Sequence, residues 1–444
     1  MAVPVYRGPF GAIQAERLLW RAGFGPRPGE AKRLAARGLE GAVHSLTHPP
    51  RERLSGPKPH DEKGRPLAPA DAWGHDHLWW LDRMVRSNRP LVERMTLVWH
   101  DWFATSNDGV GSQKLMLAQN RLLRRNALGS FKDLLREITA NPAMLLWLSG
   151  TDNTKWSPNE NYARELMELF TLGEGNGYTE RDVREQARAL TGWRNDWRRG
   201  AGATNFRFDR SRHDEGTKTI FGKRGTFDWH DAVSLCLHHP RHPGFVVDKL
   251  WSAFVPVPPS AASRRGLERL YVSSGHEIRP VVEAILRHPA LYRGPRMVKP
   301  PVVYTAGLLR GLGRGIDTTA WSWLAGMAGQ RLFYPPNVAG WEDDRWLDTA
   351  TFRGRWYVAN YALSASTASE KKGHTVPNDP DAIVAGALKL LGSPTLRPAT
   401  RRAVTTFARG SLRHATGWKA KAYPPLVANA VRQLIAVSPD LMTS

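Results

Sequence analysis

Residues 157–192 read SPNENYARELMELFTLGEGNGYTERDVREQARALTG, and this stretch decides the fold class. Ser157-Pro158-Asn159-Glu160 has the form of an S-x-x-E capping box with Pro at the first helical position. NYARELMELFTL then carries apolar residues at helical spacing as far as Gly173, a natural C′ residue. After the short Gly-rich turn GEGNGY, Thr179-Glu180-Arg181-Asp182 caps a second helix that ends at Gly192. Two helices joined by so short a turn predict a helical hairpin.

The same grammar extends outward in both directions. AIQAERLLWRAGF (12–24) and PGEAKRLAARG (28–38) read as helices, the second opening on Pro and closing on Gly. Further helices are expected at 75–87, 91–104, 113–127 and 130–140. Beyond the hairpin they are expected near 229–239, 244–255, 262–273, 279–288, 298–313 and 319–328. Residues 50–70 are rich in Pro and charge and read as an exposed loop. Residues 204–222, TNFRFDRSRHDEGTKTIFG, break the pattern: FRFD alternates and turn residues follow, so a short β-hairpin-like insert is expected there. FYPPNVAGWEDDRW (333–346) is a Pro/Gly/aromatic loop. The expectation is an all-α chain: a main helical domain over 12–366, a polar linker at 367–380, and a C-terminal helical cap over 381–444.

Composition sets outer bounds. The chain of 444 residues carries 63 Lys and Arg against 41 Asp and Glu, a net charge of +22. So basic a chain attracts polyanions without sequence readout. Arg is spread along the whole length, however, and no zinc-finger spacing, RNP-type motif or KH loop points to specific nucleic-acid recognition. Cys236 is the only cysteine, which excludes an intrachain disulfide and a Cys-based zinc site. No apolar run is long enough to span a membrane. No signal-peptide pattern opens the chain, which on its own reads as cytoplasmic. G-x-G-x-x-G, P-loop, G-x-S-x-G and H-E-x-x-H patterns are all absent.

Segments 141–193, AERLLWRAGFGP (15–26), VWHDWFA (98–104), FRFDRSRHDEGTKTIFG (206–222), HPGFVVDKLWSAFV (242–255) and GQRLFYPPNVAGWEDDRWL (329–347) occur in an order that resembles the bacterial domain-of-unknown-function 1800 family. The resemblance covers roughly 12–366. It implies a helical fold of unsettled biochemistry. It also implies a neighbouring gene for a sulfatase-like partner, and export of many members.

The candidate chemistry lies in an acidic patch within this basic chain. Residues 160–185 hold seven acids against three bases. Asn161, Glu165 and Glu168 share a helix face at i, i+4 and i+7. The two carboxylates, with His100 and His213, form a candidate set of ligands for one divalent metal ion. His100, Asp101, Glu165, His213, Asp214 and Lys218 are the candidate catalytic residues, with His213 as base and Lys218 as anion contact. Against this, Glu160–Arg164 and Arg164–Glu168 are also ordinary i,i+4 pairs, and His100 between Trp99 and Trp102 also reads as a core histidine. Asn161, Arg164, Asn337, Trp341 and Trp346 are candidate binding residues, the two Trp by stacking on a flat or sugar-like ligand.

Three functions follow as expectations. A metal-assisted hydrolase requires the acids and histidines to converge. A binding or accessory protein for an anionic polymer or envelope glycan requires exposed Trp beside an Arg/Lys face. A structural scaffold requires the acids to be paired with the protein's own arginines.

Overall fold

A computed structural model describes residues 3–417 and 419–444. Among them stand 23 α-helices and only two small two-stranded antiparallel sheets, so the fold is mostly α with a short β insert, as the sequence predicts. No described helix is long and apolar enough to cross a membrane.

Contacts divide the chain into two units. The first is built mainly from Met95–His288 and Leu332–Trp341, the second from Tyr6–Arg94, Pro289–Arg331 and Glu342–Ser444. The residues expected as linker and cap, 367–380 and 381–444, fall within the second unit. There Pro380–Leu390, Pro398–Leu412 and Lys419–Ala436 pack on one another.

The core of the first unit is aromatic. Trp99, Trp102, Phe103 and Phe131 form one cluster, with Phe170 edge-on to Phe103 at 5.1 Å. The indole N–H of Trp99 donates to the Ala127 carbonyl and that of Trp102 to Leu169, each at 3.1 Å, so the polar atom of each ring is satisfied inside. Burial of a ring such as Phe131 contributes about 1.5–3 kcal/mol. The second unit is organised around Pro301–Leu312, a helix buried along nearly its whole length and closed by Gly313 at φ +65°.

The helical hairpin forms with two differences. The expected capping box at Ser157 and Glu160 is replaced. Asn153 holds the chain extended by accepting from the Asn159 N–H at 2.9 Å, and Asn159 Oδ1 in turn accepts from the Asn161 N–H at 2.9 Å. The first helix also changes pitch: Asn161–Glu165 is α-helical and Leu166–Thr171 is a π-helical turn. The Thr171 hydroxyl donates to the Leu166 carbonyl and the Leu172 N–H to Met167 at 2.9 Å, both five residues back. At the second helix, Glu180–Ala189, the capping box at Thr179 is as expected, with reciprocal bonds to Asp182 at 3.2 and 2.8 Å.

The insert starts earlier than its sequence suggests. β1 (Trp193–Arg198) pairs with β2 (Gly202–Phe208), and β3 (Lys218–Ile220) with β4 (Lys223–Gly225). Trp193 at the base of β1 is buried against Phe208 and Trp229, and the register slips between Arg194 and Asp196. Cys236 is buried in the following helix, Trp229–Leu237, where burial pushes its thiol up to about 12.

Candidate functional site

Four of the seven acids in the patch fall into two arginine-centred networks; Asp182 caps the second hairpin helix, Glu174 is exposed, and Glu165 stands apart. Arg164 lies between Glu160 at 3.1 Å, Glu168 at 3.3 Å and Glu180 at 2.8 Å. Its hydrogen bonds, chiefly to Glu180, hold its charge more firmly than an ordinary guanidinium. Arg188 bridges Glu185 at 3.1 Å and Asp214 at 2.7 Å. Asn161 is exposed beside the first network. Glu165, on the same helix, is half-buried and makes no hydrogen bond or ion pair with the described residues; burial, then the charge of Glu168, raises its pKa.

The RHDEGTK loop is fastened to the second hairpin helix. Glu185 accepts from the Thr219 N–H at 2.8 Å and Asp182 from the Phe221 N–H at 2.7 Å. Lys218 is fully buried, its ammonium donating to the carbonyls of Asp214 and, at 3.1 Å, Gly216. It therefore holds the loop's own backbone instead of facing an external anion. His213 is buried with Nδ1 at 2.9 Å from the Thr191 carbonyl.

His100 and Asp101 position the 333–341 loop. His100 is 1% exposed and packs against Phe333 and Trp341, with ring centroids 5.6 and 5.5 Å away. Burial pushes its pKa down to about 3, so it is neutral near pH 7. Asp101 Oδ1 accepts from the Trp341 N–H at 2.9 Å. Gly340 passes so close that a Cβ there would lie 2.4 Å from the same oxygen. Asn337 closes its own turn by accepting from the Ala339 N–H at 2.8 Å.

The structure thus brings His100, Asp101, Asn337 and Trp341 together, and likewise Asp214, Lys218 and the hairpin acids. The four expected metal ligands, His100, Glu165, Glu168 and His213, are not gathered. Among the described residues no three His, Cys, Asp or Glu side chains are placed to hold a metal ion. The physical reason is local: His100 is sunk in aromatic packing, His213 is held at Thr191 and Glu168 by Arg164. The two expected stacking residues also lie inside, Trp341 8% and Trp346 6% exposed.

The exposed aromatics are elsewhere. Trp197, near the tip of β1, is 78% exposed, and Trp156 is 71% exposed with the Lys155 ammonium 4.9 Å above its ring. The Lys155 N–H donates to the Arg212 carbonyl at 2.9 Å, which ties the Trp156 loop to the insert. The insert, residues 193–225, holds nine Lys and Arg against four Asp and Glu. Asp196 and Asp209 are engaged by Arg207 and Arg194 at 3.0 and 3.1 Å. Arg198, Arg199, Lys223 and Arg224 are exposed and carry no ion pair among the described residues. The signal lay in WRNDWRRG (193–200), two Trp interleaved with Arg, directly after the Gly that ends the hairpin.

No curated protein and no solved structure matches the chain. A family model described as protein of unknown function (DUF1800) matches residues 17–443.

Proposed function

The chain belongs to the DUF1800 family of proteins of unknown function, and we propose that it acts as a binding protein for an acidic polysaccharide, gripped by the β insert. The observation that carries this reading is the exposed Trp197 beside the unpaired cations Arg198 and Arg199. An indole face offers stacking to a sugar ring, and unpaired guanidinium groups offer forked hydrogen bonds to sulfate or carboxylate groups. Such a role fits a sulfatase-like partner acting on the same polymer. The test is binding of the purified protein to a sulfated glycan such as heparin, with polyphosphate as a polyanion lacking sugar rings. R198A/R199A is expected to weaken both by roughly tenfold or more at moderate salt, since charge contacts dominate such binding. W197A is expected to weaken only the glycan. Equal binding by wild type and both variants would end this reading.

One observation favours a second reading, a hydrolase that uses Glu165 as its acid or base. It is the hairpin acid that stays half-buried without a partner and whose pKa is raised. Screening sulfate and phosphate esters with wild type and E165Q tests it: hydrolysis that survives in E165Q, or none in wild type, counts against it.

A further inference from the structure

Within the second unit a cavity of about 300 Å³ opens between the first helix, Ala12–Arg21, and the segment around Thr395–Pro398. Its apolar wall is Ile13, Trp20 and Leu396, and its polar wall includes Arg17, Arg296 and Arg397. Arg21 and Lys299 are buried close by, Lys299 with its ammonium 3.3 Å above the Trp20 ring.

The charges do not balance. Arg17, Arg296 and Arg397 on the wall, with Arg21 buried behind it, set four guanidinium groups against two side-chain carboxylates, Glu16 and Asp440, while burial drives Lys299 toward its neutral form. Both acids are already engaged. Glu16 accepts from the Thr395 hydroxyl at 2.6 Å, and Asp440 from Arg296 at 3.2 Å and Arg397 at 2.7 Å. Arg17 makes its bonds to the carbonyls of Tyr292, Gly294 and Pro295 and has no carboxylate partner among the described residues. Burial and the neighbouring guanidinium groups push Arg21 down to about 9. Arg397 uses only its Nε on Asp440, so among the described residues both terminal nitrogens of an exposed fork are without a partner at the cavity wall.

From this geometry we propose that the cavity binds a small amphiphilic carboxylate, its apolar body against Ile13, Trp20 and Leu396 and its head on the fork of Arg397. The volume suits a body of about a dozen heavy atoms, at the small end for ligand pockets. Carboxylate geometry matches the two parallel donors of the fork.

Decanoate is a suitable probe, titrated calorimetrically against the full chain below its aggregation limit, with 1-decanol as the uncharged control. One decanoate is expected to bind per chain, and 1-decanol roughly tenfold or more weakly. R397A is expected to cost decanoate a similar factor without unfolding the protein, because Asp440 keeps Arg296 and the backbone N–H of residue 397, at 3.2 and 2.9 Å. L396W, which fills the cavity, is expected to weaken decanoate and decanol together, and R198A/R199A to change neither. No saturable decanoate binding, an R397A affinity equal to wild type, or decanol bound as tightly as decanoate would each overturn the proposal.

Discussion

Gly340 shows how a single position carries the order of its surroundings. Its backbone sits at φ +95° and presses on Asp101, whose carboxylate holds the next N–H. A methyl group there meets both backbone strain and a 2.4 Å approach to Asp101 Oδ1. Gly222, at φ +74° with nothing within 4 Å of its absent Cβ, meets the strain alone. G340A is therefore expected to destabilise by roughly 2–4 kcal/mol and G222A by about 1 kcal/mol, read from urea-unfolding midpoints. Equal shifts would show that the close approach to Asp101 adds no cost. The sequence announced the ingredients of this contact, His100-Asp101 and the Pro-Pro loop, because both are unusual strings. It could not announce that they meet, since contact between residues so far apart in sequence is fixed only by tertiary packing. The same holds for exposure: Trp341 and Trp197 look alike in sequence, and only their surroundings make one core and the other surface.

At the level of elements, helix boundaries were legible because caps and breakers write them locally. Thr179, Pro301 and Gly313 stand where the structure starts or stops helices. The π-helical turn at Leu166–Thr171 was not legible, since a widened turn leaves the apolar spacing nearly unchanged. It bears on Glu165, the residue that precedes it. A carboxyl whose folded pKa lies above its unfolded value contributes stability below the unfolded pKa and loses it as pH rises through the folded one. Near pH 7 Glu165 therefore opposes folding, and E165Q is expected to unfold at an equal or higher urea concentration than wild type. The difference should shrink below about pH 4, where the carboxyl is protonated in both states. A clear loss of stability in E165Q at pH 7 would mean that the carboxylate is bound after all. β1 was missed for a related reason: it begins at Trp193, directly after the Gly that stops the helix, with no linker to announce a new element.

The whole molecule should be sensitive to acid. His77, His100 and His242 are all buried, and burial pushes each down to about 3. A base with a depressed folded pKa contributes stability above its unfolded value, near 6.5, and loses it as pH falls below that value. At pH 5 each histidine would cost roughly 2 kcal/mol. Asp82, pushed up to about 6 by its burial, and Glu165, raised by its own, work in the opposite sense but are two carboxyls against three histidines. His77 lies in the second unit, His100 and His242 in the first, so both units are affected. Urea midpoints are expected to fall between pH 7 and pH 5, and a flat profile would mean that these rings take up protons without opening. The net charge of +22 was plain from composition. Where that charge stands unpaired, on the insert and around Arg397, became visible only once the acids had found their partners.

The buried Cys236 makes the protein convenient for labelling. Its sulfur is closed off from solvent, and at neutral pH its burial keeps it in the thiol form, which alkylating reagents barely attack. A cysteine introduced at Ala201, exposed in the turn between β1 and β2 and free of the positive φ that Gly200 adopts, would then be the one thiol that a maleimide reaches. A fluorophore fixed there, on an otherwise unaltered background, would sit beside Trp197 and report directly whether a glycan arrives.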